Sequence, residues 1–130
     1  MPRVSAAFFL AGALLVLFGI GLGEYMASHE DFLLTPVHAH ANLLGWTTLA
    51  LFGTFYALTK DSYSPRLAWL NFILSAGGVL LTLPLLWIML VTPNGDAKYG
   101  PLVGAAAGIT ILGALVFLLS VWRELMRKRA

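Results

Sequence analysis

Residues 36–58 read PVHAHANLLGWTTLALFGTFYAL, and the fold turns on how this stretch is read. It carries no acidic residue, lysine or arginine. It is also long enough to cross a bilayer as a helix, which takes roughly 20 residues at about 1.5 Å each. Thr35 and Pro36 supply an N-cap and a first helical residue. His38 and His40 follow at once. Imidazoles set among hydrocarbon are costly unless a metal, a haem, a proton or a polar partner uses them. The stretch predicts a membrane helix with chemistry at one end.

Three more apolar runs flank it, at Val4–Gly23, Leu67–Val91 and Pro101–Trp122. The first is longer than the ~7–15 residue core of a signal peptide and reads as a true span. Composition agrees, with 59% hydrophobic and 11% charged residues, against about 25% charged in an ordinary soluble domain. The loops are too short to hold anything folded. The expectation is a single domain, residues 1–130, all-α and integral to the membrane. Its four transmembrane helices fall at about 4–27, 36–59, 66–91 and 100–125 and run up-down-up-down. Pro84 lies inside the third span, where membrane helices tolerate it.

Charge sets the orientation. Arg3, Lys60, Arg66, Arg123, Arg127, Lys128 and Arg129 fall on one side if the helices alternate, and Lys98 falls on the other with Glu24, Glu30, Asp31 and Asp96. The positive-inside bias places both termini in the cytoplasm and the Ser28–Thr35 and Thr92–Tyr99 loops outside. Tyr25, Phe32, Trp87 and Tyr99 then mark the outer interface, and Tyr56, Tyr63, Trp69 and Trp122 the inner one. The cluster Arg127-Lys128-Arg129 reads as an anchor on anionic lipid, with no nucleic-acid partner implied.

Successive helical residues turn by about 100°, so His38 and His40 diverge by about 200° and cannot share an ion from one regular helix. Asn42 and Gly45 fall near the His38 direction, which leaves a flat surface below that imidazole; Trp46 projects beside it. His38 and His40 are the candidate metal ligands, and Asn42, Gly45 and Trp46 the candidate cofactor contacts. His29 reads as a solvated loop residue, Glu24 as a helix-end carboxylate or a partner of a ligating imidazole, and Asn71 as an interhelical hydrogen bond. Met26 and Met89 read as packing. Gly19 and Gly23, and Gly100, Gly104 and Gly108, have the spacing that lets membrane helices approach closely, as at an oligomer seam. With no cysteine, disulfides, thiolate metal sites, covalent haem attachment and iron–sulfur clusters are excluded. No Ser/His/Asp set, phosphate loop or mid-span carboxylate pair supports a hydrolase, kinase or ion pump.

The segment His38-Ala-His-Ala-Asn-Leu-Leu-Gly-Trp46, with Phe52-Gly-Thr-Phe-Tyr56 after it, resembles subunit I of the haem–copper oxidases and its relatives, including the NnrS-type membrane proteins. It is most similar to small oxidase-subunit-I-like proteins of bacteria. The resemblance covers Thr35 to Tyr56 and is only compositional elsewhere. It implies haem b as cofactor, held by His38, whose position matches a low-spin haem ligand. In that large subunit, twelve helices form three arcs of four, and a His-x-His pair serves haems on opposite flanks. By analogy, three copies of this chain would form a twelve-helix ring, with His38 of one and His40 of the next ligating each haem; a dimer also satisfies the ligand count. The resemblance implies a bacterial inner membrane and an electron-transfer or redox role near the outer face, with Lys98 and Tyr99 as candidate propionate partners. The oxidase's copper-ligand helix and proton channels have no counterpart here, so oxygen reduction is not implied. Two other readings stay open. One is copper binding or delivery by His38 and His40 with Met26 or His29; the other is a structural subunit of a respiratory complex.

Overall fold

The computed structural model describes residues 1–127, so Lys128 and Arg129 of the basic cluster lie outside the described residues. Every element among them is helical: α1 (Arg3–His29), α2 (Thr35–His40), a π-helical segment (Ala41–Thr48), α3 (Leu49–Leu58), α4 (Pro65–Val91) and α5 (Gly95–Leu125). Three of these, α1, α4 and α5, are each long and apolar enough to cross a bilayer, the architecture of a multi-pass membrane protein. Large apolar side chains such as Leu10, Leu17, Leu51, Ile73, Ile111 and Leu118 stay exposed around the bundle. That is the pattern expected where lipid is the solvent.

The turns follow from a few residues. Glu30 ends α1 in the left-handed region at φ 52°. Its N–H reaches Ala27 O, and that of Asp31 reaches Met26 O, a Schellman closure. The start of α2 lies one residue before the expected one: Leu34 takes the N-cap position, Thr35 is already helical, and its hydroxyl turns back to Phe32 O at 2.7 Å without capping the helix. The last helix starts earlier than the sequence suggests, at Gly95 and not near residue 100. Asn94 adopts φ 53°, and Gly95 crosses so close to Met89 that any Cβ would strike the Met89 backbone. The connection between α4 and α5 thereby shrinks to 92–94, and Asp96, Lys98 and Tyr99 become helical.

Thr35–Leu58 runs as one helical rod that widens at its centre. Through Ala41–Thr48 the backbone takes π geometry, and the hydroxyls of Thr47 and Thr48 donate to Asn42 O at 3.2 Å and Leu43 O at 2.9 Å, five residues back. Such segments are rare and recur at functional sites. The rod packs on α1 and α4, and α5 leans on α4. Only 11% of the most apolar window of α5 is buried, against 39% for α4, so α5 is the peripheral helix.

Away from the histidines, the bundle is held by aromatic rings and a buried hydroxyl chain. Phe8 of α1 stacks on Tyr56 (centroids 5.8 Å) and meets Phe52 and Phe72 edge-on, while Phe52 stacks on Phe117 of α5 at 4.0 Å. Ser5 donates to Gly53 O across the α1–α3 crossing. Ser75 Oγ donates to Asn71 Oδ1 (2.8 Å), Asn71 Nδ2 to the Tyr56 hydroxyl (3.1 Å), Tyr56 to Ser120 Oγ (3.0 Å) and Ser120 to Val116 O (3.1 Å). Each member donates once along the chain, and no buried side-chain polar atom among the described residues lacks a partner. Asn71 is thus the interhelical hydrogen bond the sequence suggests. Tyr56 departs from expectation: it is fully buried at the centre of the network and is no interfacial aromatic.

Tyr56→Phe should therefore destabilise the protein by about 1–3 kcal/mol, the cost of stranding the Asn71 amide in a dry site. Ser120→Ala, at the more open end of the chain, should cost less. Reversible unfolding in mixed micelles reads both. Equal stability of Tyr56→Phe and the unaltered protein would contradict the network.

Candidate functional site

The site lies where the start of the Thr35–Leu58 rod, the second rod along the chain, crosses the C-terminal half of α1 at Gly19 and Gly23. His38 is half-buried there, and its Nδ1 lies 2.7 Å from Gly19 O. A carbonyl oxygen only accepts, so Nδ1 carries the hydrogen and Nε2 of the neutral ring keeps its lone pair. Gly19 O also belongs to the α1 backbone ladder, and its second lone pair makes the extra bond possible. His40 repeats the arrangement within its own helix, with Nδ1 2.7 Å from Pro36 O. A ligating histidine characteristically donates its other ring N–H to a carbonyl or carboxylate in this way. His29 shows the same bond to Tyr25 O (2.9 Å), but it is exposed and stacks on Tyr25 at 4.2 Å.

Close approach depends on two absent side chains. A Cβ on Gly23 would sit 2.9 Å from His38 Cε1, and one on Gly19 would sit 2.9 Å from Asn42 Cγ. The pair Gly19/Gly23 is thus consumed inside the chain, against His38 and Asn42, where an oligomer seam was one expectation. Gly100, Gly104 and Gly108 meet nothing within 4 Å. Asn42 Nδ2 lies 3.3 Å from Nδ1 and 3.2 Å from Nε2 of His38. With Nδ1 carrying its hydrogen, only Nε2 can accept from the amide, so Asn42 donates to the ring nitrogen that a ligand would use.

The remaining candidates separate. Gly45 is buried against Leu15 of α1, and Trp46 lies over Gly12 with its ring partly exposed. The flat face expected below His38 exists, but α1 already covers it. His40 faces away from α1, on a flank where Leu43 and Leu51 are exposed. Glu24 is exposed and hydrogen-bonds to neither imidazole among the described residues. Met26 is buried in the apolar core, and Met89 packs against it. Lys98 and Tyr99 sit on α5 and face each other, ammonium to ring centroid 5.2 Å. Among the described residues no three His, Asp or Glu side chains cluster closely enough to hold a metal ion, so His29, His38 and His40 do not converge.

The π-helical segment is the feature of this region that sequence reasoning missed. Its only signal is the pair Thr47-Thr48, whose hydroxyls close the widened turns. No family model, no curated protein and no solved structure matches the chain.

Gly23→Ala should rotate the His38 ring off Gly19 O and cost about 1–3 kcal/mol, as overpacking does. Gly21→Ala, two residues away and facing open space, should stay within about 0.5 kcal/mol of the unaltered protein. Unfolding in mixed micelles compares them. Identical stabilities would show that the glycine cradle is not formed.

Proposed function

We propose that the chain is a haem b-binding membrane protein with an electron-transfer or redox role, and that Thr35–Leu58 is a fourth span. The observation that carries this reading is the matched pair of Nδ1–H bonds, from His38 to Gly19 O and from His40 to Pro36 O. Both rings keep Nε2 unprotonated in a fixed orientation, and at His38 a ligand would displace the Asn42 amide from it. Imidazole donors suit iron held in a porphyrin, and two of them suffice for axial ligation. The likeness of residues 35–56 to oxidase subunit I adds to the same side.

His38 and His40 leave the rod on different flanks, so neither completes a site with the other in one chain. A second copy supplies the missing ligand: His38 of one chain and His40 of the next, in a trimer by preference and in a dimer as the smaller solution. The open face around Leu43 and Leu51 is the wall such a neighbour would close. When bound, haem b supplies a one-electron iron couple. The chain's own part is to hold both rings in one tautomer, to raise their basicity through the carbonyl bonds, and to keep water away with the apolar face around His40. Asn42, beside His38, is placed to tune the same ring. The basic residues at one end of the bundle support cytoplasmic termini, and the likeness to bacterial oxidase-like proteins is the reason for placing the chain in a bacterial inner membrane.

Topology and cofactor are tested separately. Single cysteines at Phe32 and Asp61, which flank the Thr35–Leu58 rod, should react from opposite faces of sealed vesicles, and labelling from one face would remove the fourth span. The detergent-purified protein should show a Soret band and a haem b pyridine haemochrome. His38→Ala and His40→Ala should each weaken haem retention by about tenfold or more, and the double variant should abolish it. A well-folded preparation without haem, or haem unchanged in the double variant, would sink the proposal; copper in its place would favour the copper reading.

A further inference from the structure

Between α1 and α4, two adjoining hollows share Phe18 and Trp87 as walls. They measure about 400 Å³ and 640 Å³. Together they form a groove that starts under the 30–34 loop and ends near Leu15 and Leu80. From Leu80 to Val91 the groove wall runs about 16 Å along α4 at ~1.5 Å per residue. That is close to half of the ~30 Å hydrocarbon core, so the groove is one leaflet deep.

Its mouth is polar and its charge is negative. Asp31 lines it, with Glu30 next in the chain. One carboxylate oxygen of Asp31 accepts the Leu33 N–H at 3.1 Å, which steadies the group and leaves its other oxygen free. Tyr25 also lines the mouth, its ring held against His29. The Tyr25 hydroxyl has no hydrogen-bond partner among the described residues. A phenol that can donate and a carboxylate that can only accept therefore stand at the top of a leaflet-deep apolar slot. An anionic headgroup is repelled there. A zwitterionic one suits both groups, its phosphate accepting from Tyr25 and its ammonium donating to Asp31.

We infer that this groove is a binding site for one phospholipid of ethanolamine type, with an acyl chain between Phe18 and Trp87 and its ammonium at Asp31. The lipid closes the gap between α1 and α4 beside the segment of α1 that carries Gly19 and Gly23, and it acts independently of any metal at the histidines. Gly21 lines the groove and faces open space, so a side chain placed there fills the slot without striking the protein.

The test uses the full chain in nanodiscs of equal phosphatidylethanolamine and phosphatidylglycerol with matched acyl chains, released for native mass spectrometry. One lipid per chain should be retained, with the ethanolamine lipid enriched by about fivefold, the scale of one partly exposed ion pair. Asp31→Asn should bring the ratio to about one while keeping retention. Gly21→Phe should abolish retention, with helicity checked by circular dichroism. Equal retention of both lipids by the unaltered chain, no retained lipid, undiminished retention in Gly21→Phe, or a retained mass matching an isoprenoid quinone would each overturn the assignment.

Discussion

The hydrogen bond from His38 Nδ1 to Gly19 O is the constraint on which the histidine end of the bundle depends. A polar ring among apolar helices needs a partner that hydrocarbon cannot provide. The α1 backbone provides one, but only if the two helices come within backbone reach. That demands glycine at 19 for Asn42 and at 23 for His38. Once the bond forms, the tautomer is settled and Nε2 is left unprotonated, accepting from the Asn42 amide. The geometry of the site is thus a consequence of how α1 and the second rod pack, and it does not wait for a ligand to organise it.

The two ends of the bundle divide the work. At the end away from the histidines, Phe8, Phe52, Tyr56, Phe72 and Phe117 interlock around a hydroxyl and amide chain in which each member has a partner. That end joins α1, α3, α4 and α5. The histidine end is joined by glycine contacts and by a π-helical segment, with the open groove alongside. Aromatic and hydrogen-bonded packing concentrates in one half, and close glycine contacts and the open groove in the other. The π segment sits at the junction, between His40 and the aromatic half, and sets the direction of one relative to the other.

Much of this was legible beforehand, for a physical reason. Long uncharged runs have few choices in a bilayer, so the helices between residues 3 and 91 fall close to their expected bounds. Thr35-Pro36 marks the start of α2, and the divergence of His38 and His40 follows from helix geometry alone. What escaped were features set by contact between helices. Spacing shows that Gly19 and Gly23 permit a close approach but not that the approach is to His38 and Asn42 of the same chain. Tyr56 looked interfacial from its place in the sequence, whereas its burial depends on Asn71 and Ser120 arriving from two other helices. Asn94 and Gly95 start α5 early through a backbone crossing with Met89, which no local pattern announces.

The claim beneath the account is that both rod imidazoles are held as Nδ1–H tautomers with Nε2 unprotonated. Nitrogen-15 solid-state NMR of histidine-labelled protein in lipid bilayers, without added haem or metal, measures this directly. The account predicts protonated Nδ1 and unprotonated Nε2 resonances for the neutral rings of His38 and His40, with the His38 signals shifting in Gly23→Ala. An Nε2–H tautomer at His38 would contradict it.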